Sequence, residues 1–376
     1  MEMLGRVLIP HLQRHFALTD FLHGFYYTWD KSNNRVTQAG QREVSIARVM
    51  QAGNTCYLAF QMYALFALPA EALDMIIPIL ATLLYLSGMG FGYEWGPDGS
   101  IIQFMNVIVG AGENTGGKFK SVPTQKNVEQ LINVIGVLVK WTEIVLSLAT
   151  GVMVFLFPCK LPFLGSAIFS KVTCEKSLLD ACAWMICARI GLAVFEAKQQ
   201  LHMILVGGQY AIFTLMMGCI HLWGVLGEVC DVIDVPFCTK YREAHVLEQL
   251  LNSCTRTRIF PIFATTVPAF QIITAYACVK HYDVMEMTHL IAICLTMLDS
   301  TVFNLVLFIG SGKLYEKAGA YLTGRMIRAR GKIETKFVKS LTPLKIRFGS
   351  NFVDELTALR VQHFCSIKII DLLLLL

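Results

Sequence analysis

Long apolar runs separated by short polar clusters organise this chain. Seven of them are each about 18–27 residues: Ala52–Ala70, Ala72–Tyr93, Leu131–Phe157, Leu178–Phe195, Leu201–Leu226, Ile259–Val279 and Met287–Ser311. A helix of roughly 20 apolar residues crosses the ~30 Å hydrocarbon core of a bilayer, and it satisfies its own backbone hydrogen bonds, as lipid requires. The pattern predicts an all-α, polytopic transmembrane helix bundle of about seven spans, bounded by six and eight, in the cell membrane. It divides the chain into an N-terminal polar segment (1–51) expected in the cytoplasm, a transmembrane bundle (52–311) and a basic C-terminal segment (312–376).

The connections carry their own signals. Pro69, Ala70 and Glu71 predict a tight antiparallel hairpin between the first two spans, and Lys31–Asn34 after Trp29 and Asp30 predicts a turn. Ile101–Val109 is apolar but too short to span, so it is expected at the interface or as a re-entrant helix. Tyr241–Arg258 has an amphipathic pattern, with Val246, Leu247, Leu250 and Leu251 on one face.

Composition sharpens this. Hydrophobic residues make up 55% and charged residues 16% of the chain, against about 25% charge in soluble domains. No basic stretch interleaves with aromatics, so nucleic acid is not an expected partner. The net charge of +5 is concentrated: six Lys/Arg precede the first span and ten lie between Lys313 and Arg347. The positive-inside bias puts both groups in the cytoplasm, which an odd number of crossings between them forbids. Three readings repair this. Leu178–Phe195, weakened by Asp180 and Arg189, is a partial or re-entrant segment; Phe352–Leu376 crosses as an eighth span; or the N-terminus lies outside. The first two fit the charge better. The first apolar run, Val7–Pro10, is too short for a signal-peptide core, and no Asn-x-Ser/Thr acceptor occurs.

Of twelve cysteines, six fall inside spans, where cysteine acts as a small hydrophobe. Cys159 and Cys174 share a connection that can be bridged in an oxidising compartment. No Cys/His spacing supports zinc, so neither metal nor cofactor is expected. Motifs for serine hydrolases, P-loop nucleotidases, zinc proteases and kinases are absent, which argues against an enzyme.

Ionisable groups within spans are functional candidates by default. Asp299 sits mid-span beside Ser300 and Thr301, with Asn304 just over a turn away; the alternative is a hydrogen-bonded packing residue. Pro261 and Pro268 should kink a helix that also carries Gln271 and Tyr276. Asp299, Asn304, Gln271 and Tyr276 are therefore the predicted ligand or cavity residues. Lys140 and Glu143 share a helix face and are expected to neutralise one another. Arg189 is expected to snorkel toward a headgroup layer. His202, Gln209 and Tyr210 line a cavity or bridge helices, and His11 and His15 share a face.

Two stretches carry a family resemblance: Tyr241 to Pro261 (YREAHVLEQLLNSCTRTRIFP) and Lys339 to Asp354 (KSLTPLKIRFGSNFVD), continuing to Gln362-His-Phe-Cys365. With Trp29-Asp30 they resemble divergent springtail-like multi-span proteins, which are similar in length and helix count to the arthropod gustatory and odorant receptor superfamily. The resemblance implies an all-helical subunit with a cytoplasmic N-terminus and a small-molecule pocket in the outer half. It also implies a tetrameric cation channel whose last helices lie nearest the pore. The Thr-Tyr…Gln-Phe signature of gustatory receptors does not occur here, and no site residue is carried over. The resulting expectation is a chemosensory-type receptor that binds a small ligand in its bundle and conducts cations as a homo- or hetero-oligomer. The alternatives are a seven-helix G-protein-coupled receptor, which lacks its usual Asp/Glu-Arg-Tyr and Asn-Pro-x-x-Tyr motifs here, and a transporter or accessory protein.

Overall fold

The computed structural model describes residues 2–67, 72–110, 123–169, 182–231, 237–285, 287–329 and 331–375. Helix α1 (Glu2–Leu22) leads into a hairpin of β1 (Tyr27–Asp30) and β2 (Arg35–Gln38). Then follow α2 (Gln41–Ala67), α3 (Ala72–Phe91), α4 (Gly99–Gly110), α5 (Pro123–Leu156) and a single turn, α6 (Gly165–Ile168). Helix α7 is one rod in three parts: Ala183–Gly207, a π-helical stretch Gly208–Met216, and Met217–Asp231. Helix α8 is built likewise from Phe237–Cys254, a π-helical turn Thr255–Ile259, and Phe260–Lys280. Helix α9 (Met287–Arg328) is followed by α10 (Lys332–Ser340), a two-residue hairpin of β3 (Arg347–Phe348) and β4 (Asn351–Phe352), and α11 (Thr357–Leu375).

The fold is all-α apart from the two small hairpins. Among the described residues, four helical stretches are long and apolar enough to cross a membrane: Gln130–Leu156, Ala183–Cys230, Thr239–Lys280 and Ile293–Arg328. Met75–Phe91 is apolar but shorter. The two runs expected as separate spans at Leu178–Phe195 and Leu201–Leu226 are corrected: from Ala183 onward they form the single rod α7. Glu196–Gln200 looked like a break because it is polar, but Glu196 and Gln199 are buried and the helix runs through them. The expected Pro69–Glu71 hairpin lies outside the described residues.

Both wide turns have local causes. The Pro261 ring would clash with the carbonyl four residues back in a regular helix, and the π turn ending at Ile259 moves that carbonyl away. In α7, Gly207 and Gly208 loosen the helix, and Thr214 Oγ1 donates to the Gln209 carbonyl five residues back at 2.9 Å. At Pro268 the helix stays continuous, with Thr265 and Thr266 donating to carbonyls one turn earlier.

Packing is uneven along the rods. One large apolar core joins α1, the β1–β2 hairpin, α4, the second half of α7, the first half of α8 and the end of α9. Leu12, Phe16, Phe104, Leu222, Tyr241, Leu251 and Leu314 are among its buried side chains. Both basic segments belong to this end. The opposite end holds only small clusters, such as Ile76, Ala277 and Ile293, or Val154, Phe163 and Leu192. Water drives apolar burial, whereas lipid gives helices no such incentive. Helix α5 turns Val134, Leu138, Val145, Leu148 and Val152 outward, an apolar face compatible with lipid.

The dense end explains several sequence features. Helix α4 packs into this core: Ile101, Phe104, Met105, Ile108 and Val109 are buried, and Asn106 exchanges hydrogen bonds with the Val36 backbone at 2.7 and 2.9 Å. The turn after Trp29 is closed by Asp30, which accepts from Ser32 and Asn33; these bonds hold its carboxyl below the usual carboxylate range. The two stretches that carry the family resemblance pack on each other. Asn252 bonds Lys345 O and Arg347 N at 2.9 and 2.8 Å, Tyr241 donates to Thr342 O, and Phe260 stacks on Phe348. Gly349, at φ +54°, makes the turn of that hairpin.

Candidate functional site

Helix α2 is inside out. Gln51, Asn54, Tyr57 and Gln61, spaced three or four apart, are buried, while Tyr63 and Phe66 point outward at 67% and 83% exposure. A helix in water does the reverse; one in lipid turns polar groups toward the bundle. Across from this stripe stand Thr82 and Tyr85 of α3, and Glu196 and His202 of α7, all buried.

These groups form a partly satisfied network. Asn54 Nδ2 donates to His202 Nδ1 at 3.0 Å, and Tyr85 Oη donates to Asn54 Oδ1 at 3.4 Å. Tyr57 donates to Glu196 Oε2, whose Oε1 accepts from Leu164 N at 2.9 Å. Helix α1 ends against it: Gly24 leaves room for the His202 ring, since a Cβ there would stand 2.2 Å from Nε2. Gln51 Nε2, Gln61 Oε1, Thr82 Oγ1 and both amide atoms of Gln209 are buried without a hydrogen-bond partner among the described residues. A buried polar atom left unpaired costs about 1–3 kcal/mol, so this interior suits a polar guest. Beside Glu196, an apolar groove of about 280 Å³ opens between α6 and α7, lined by Leu164, Ile168, Phe169, Leu192 and Phe195.

A second carboxylate ties the bundle to the dense end. Glu94 follows α3 and accepts from Tyr27 Oη at 2.7 Å and Tyr210 Oη at 2.9 Å, both on Oε2. Its Oε1 pairs with Arg258 Nη2, while Arg258 Nη1 donates to Tyr93 O at 2.8 Å. Tyr210 lies in the π stretch of α7 and Arg258 in that of α8, so both wide turns deliver a side chain to one carboxylate. Burial and the neighbouring Glu94 push the Tyr27 hydroxyl well above the ordinary phenol range, keeping it a donor. Tyr93 and Trp95 flank the site with exposed rings, as at a membrane–water boundary.

The third polar group is the amide cluster Gln271–Asn304–Gln362. Asn304 Nδ2 donates to Gln271 Oε1 at 2.9 Å, and Gln271 Nε2 donates to Gln362 Oε1 at 2.7 Å. These bonds join α8, α9 and α11. Of the four residues predicted from sequence, the structure therefore brings together Gln271 and Asn304. Asp299 is exposed on the outer face of α9, and Tyr276 is half-buried with its ring 5.9 Å from His281. Gln362 was missed because its run looked too polar for a bundle helix. The α2 stripe was missed although its spacing is readable at 51, 54, 57 and 61. Replacing Asn304 with leucine should cost about 1 kcal/mol by removing this interhelical bond; thermal melting of the detergent-solubilised protein measures it, and an unchanged midpoint would disprove the contribution.

Two other pairings are corrected. Glu143 does not pair with Lys140, which is exposed; it is buried against α1, bonding His15 Nδ1 at 3.0 Å and Arg14 Nη2 at 3.1 Å. Arg189 does not snorkel but is buried at 2% exposure. His11 and His15 do share a face, and both reach α5, through Asn133 and Glu143. Cys159 is disulfide-bonded, while Cys174 lies outside the described residues. No protein-family model matches this chain, and no curated protein matches it either.

Proposed function

We propose that this protein is a multi-pass cell-membrane receptor of the chemosensory type, taking a small amphipathic molecule into its bundle and conducting cations as an oligomer, tetrameric if channel-like. The inverted polar face of α2, opposite Glu196 and His202 and with several unpaired amide atoms, carries the reading. Such an interior offers both donors and acceptors to a guest, and the apolar groove beside Glu196 suits its hydrocarbon part.

Charge supports a cytoplasmic N-terminus. With α2, α3, α5, α7, α8 and α9 as six crossings, the N-terminal segment and the basic end of α9 fall on one side, and α11 becomes a seventh crossing. That arrangement removes the conflict between basic segments and an odd number of spans. A G-protein-coupled receptor topology would put both basic segments outside. Ion conduction is supported by the outward faces of α9 and α11, where Asp299, His363 and Lys368 are exposed. Charged groups facing lipid at mid-span cost about 2.5–3.5 kcal/mol each, so these faces suit water or a second copy.

The experiment is electrophysiology of cells expressing the chain, alone and with related subunits, challenged with a panel of small alcohols, esters and amines. Asn54→Leu is expected to weaken the response to an active compound about tenfold, a loss of ~1.4 kcal/mol. Asp299→Asn is expected to lower cation selectivity without moving that dose response. Currents unaffected by both changes would remove both sites from the reading.

A further inference from the structure

Two thiols meet where α8 turns into α9. Cys278 Sγ and Cys294 Sγ stand 3.4 Å apart, in hydrogen-bond contact, and neither is in a disulfide. Cys278 lies two residues before the end of α8 at Lys280, and Cys294 is the second residue of the Ile293–Arg328 span. Cys294 is exposed and Cys278 half-buried. Packing of Ala277 against Ile293 and Ile76 fixes the two helix ends beside each other. A disulfide needs the sulfurs about 2.05 Å apart, so they must close by roughly 1.4 Å, within reach of small side-chain rotations.

The location matters as much as the distance. Cys159, just beyond the end of α5, is already disulfide-bonded. Helix α7 carries the chain away from that end and α8 brings it back, so the α8–α9 turn lies at the end where Cys159 has been oxidised. Disulfides persist in oxidising compartments and not in the cytosol.

We propose that Cys278 and Cys294 are a redox-modified dithiol closed by peroxides. The Cys294 thiolate attacks a peroxide oxygen and the O–O bond breaks, giving a Cys294 sulfenic acid and releasing water or an alcohol after proton uptake. The Cys278 thiol then attacks the sulfenic sulfur. An S–S bond forms, the S–O bond breaks, and the hydroxyl leaves as water with the thiol proton. Two sulfurs are oxidised and one peroxide is reduced. The link staples the two helices whose Gln271 and Asn304 hold α11.

The test uses the full chain purified in detergent under dithiothreitol, which is then removed. One sample receives hydrogen peroxide and one does not; both are alkylated with N-ethylmaleimide, digested without reductant and mapped by mass spectrometry. Peroxide is expected to abolish alkylation of Cys278 and Cys294 together and to yield their linked peptide, two hydrogens lighter than the separate peptides. Dithiothreitol should reverse this, and Cys278→Ser should remove the linked peptide and leave Cys294 as a dimedone-reactive sulfenic acid. The wild-type map decides even if that variant fails to fold. Retained alkylation of both residues after peroxide, or a Cys294 sulfinic acid without the linked peptide, would overturn the proposal.

Discussion

Replacing Glu94 with alanine is expected to destabilise the protein by about 3–5 kcal/mol, the range for breaking a buried pair and stranding its partner. The carboxylate is 8% exposed and the Arg258 side chain 20%. Alanine strips Arg258 of its counter-charge and leaves the hydroxyls of Tyr27 and Tyr210 without their acceptor. Arg258→Met alone should cost less, because Glu94 keeps both phenolic donors. In the double variant Glu94→Ala with Arg258→Met, the loss should be smaller than the sum of the single losses. Thermal unfolding of the detergent-solubilised variants measures all three. A Glu94→Ala midpoint close to wild type, or strictly additive losses, would mean that the carboxylate does not hold the two π-helical segments together.

A smaller but still large effect is expected at Gly312, from sterics rather than charge. A Cβ there would lie 2.5 Å from Asp354 O, 2.8 Å from its carbonyl carbon and 3.0 Å from Glu355 Cα. These are backbone atoms at the entry to α11 and cannot rotate away. Gly312→Ala should therefore cost about 1–3 kcal/mol and push the start of α11 off α9. At Gly319, on the same helix, an added methyl would meet no neighbour within 4 Å, and Gly319→Ala should stabilise by about 1 kcal/mol through helix propensity. A cysteine pair introduced by Gln271→Cys and Gln362→Cys reports the displacement. Copper-catalysed crosslinking between them should be efficient on the native background and fall with Gly312→Ala. Equal crosslinking in both would show that α11 docks independently of that contact.

Long apolar runs made the helices legible: α5 falls close to its run, whereas α8 begins at Phe237, ahead of the run that starts at Ile259, and α9 continues past Ser311 to Arg328. Burial direction was harder to read. Glu196 and Gln199 looked like a polar break, yet they face inward within one continuous rod, since a buried hydrogen-bonding network and a solvent loop draw on the same residue types. Asp299 and Asn304 are five residues apart, about 140° around a helix; only packing tells which of them looks inward. Glu143 found its partners 128 and 129 residues away in α1 rather than three residues away, a choice that local spacing does not encode. The hub at Glu94 needed the two widened turns, of which Pro261 in α8 and the Gly207–Gly208 pair in α7 were the sequence signs.

The 42 residues of α9 make a rod of about 63 Å, twice the thickness of the hydrocarbon layer. A stiff rod of that length is a lever. If a guest near its N-terminal end tilts it by only about 5°, the far tip sweeps roughly 5 Å, close to one helical pitch. Motion too slight to rearrange contacts around a small molecule is thereby magnified at the basic tip of the rod, near Arg325 and Arg328.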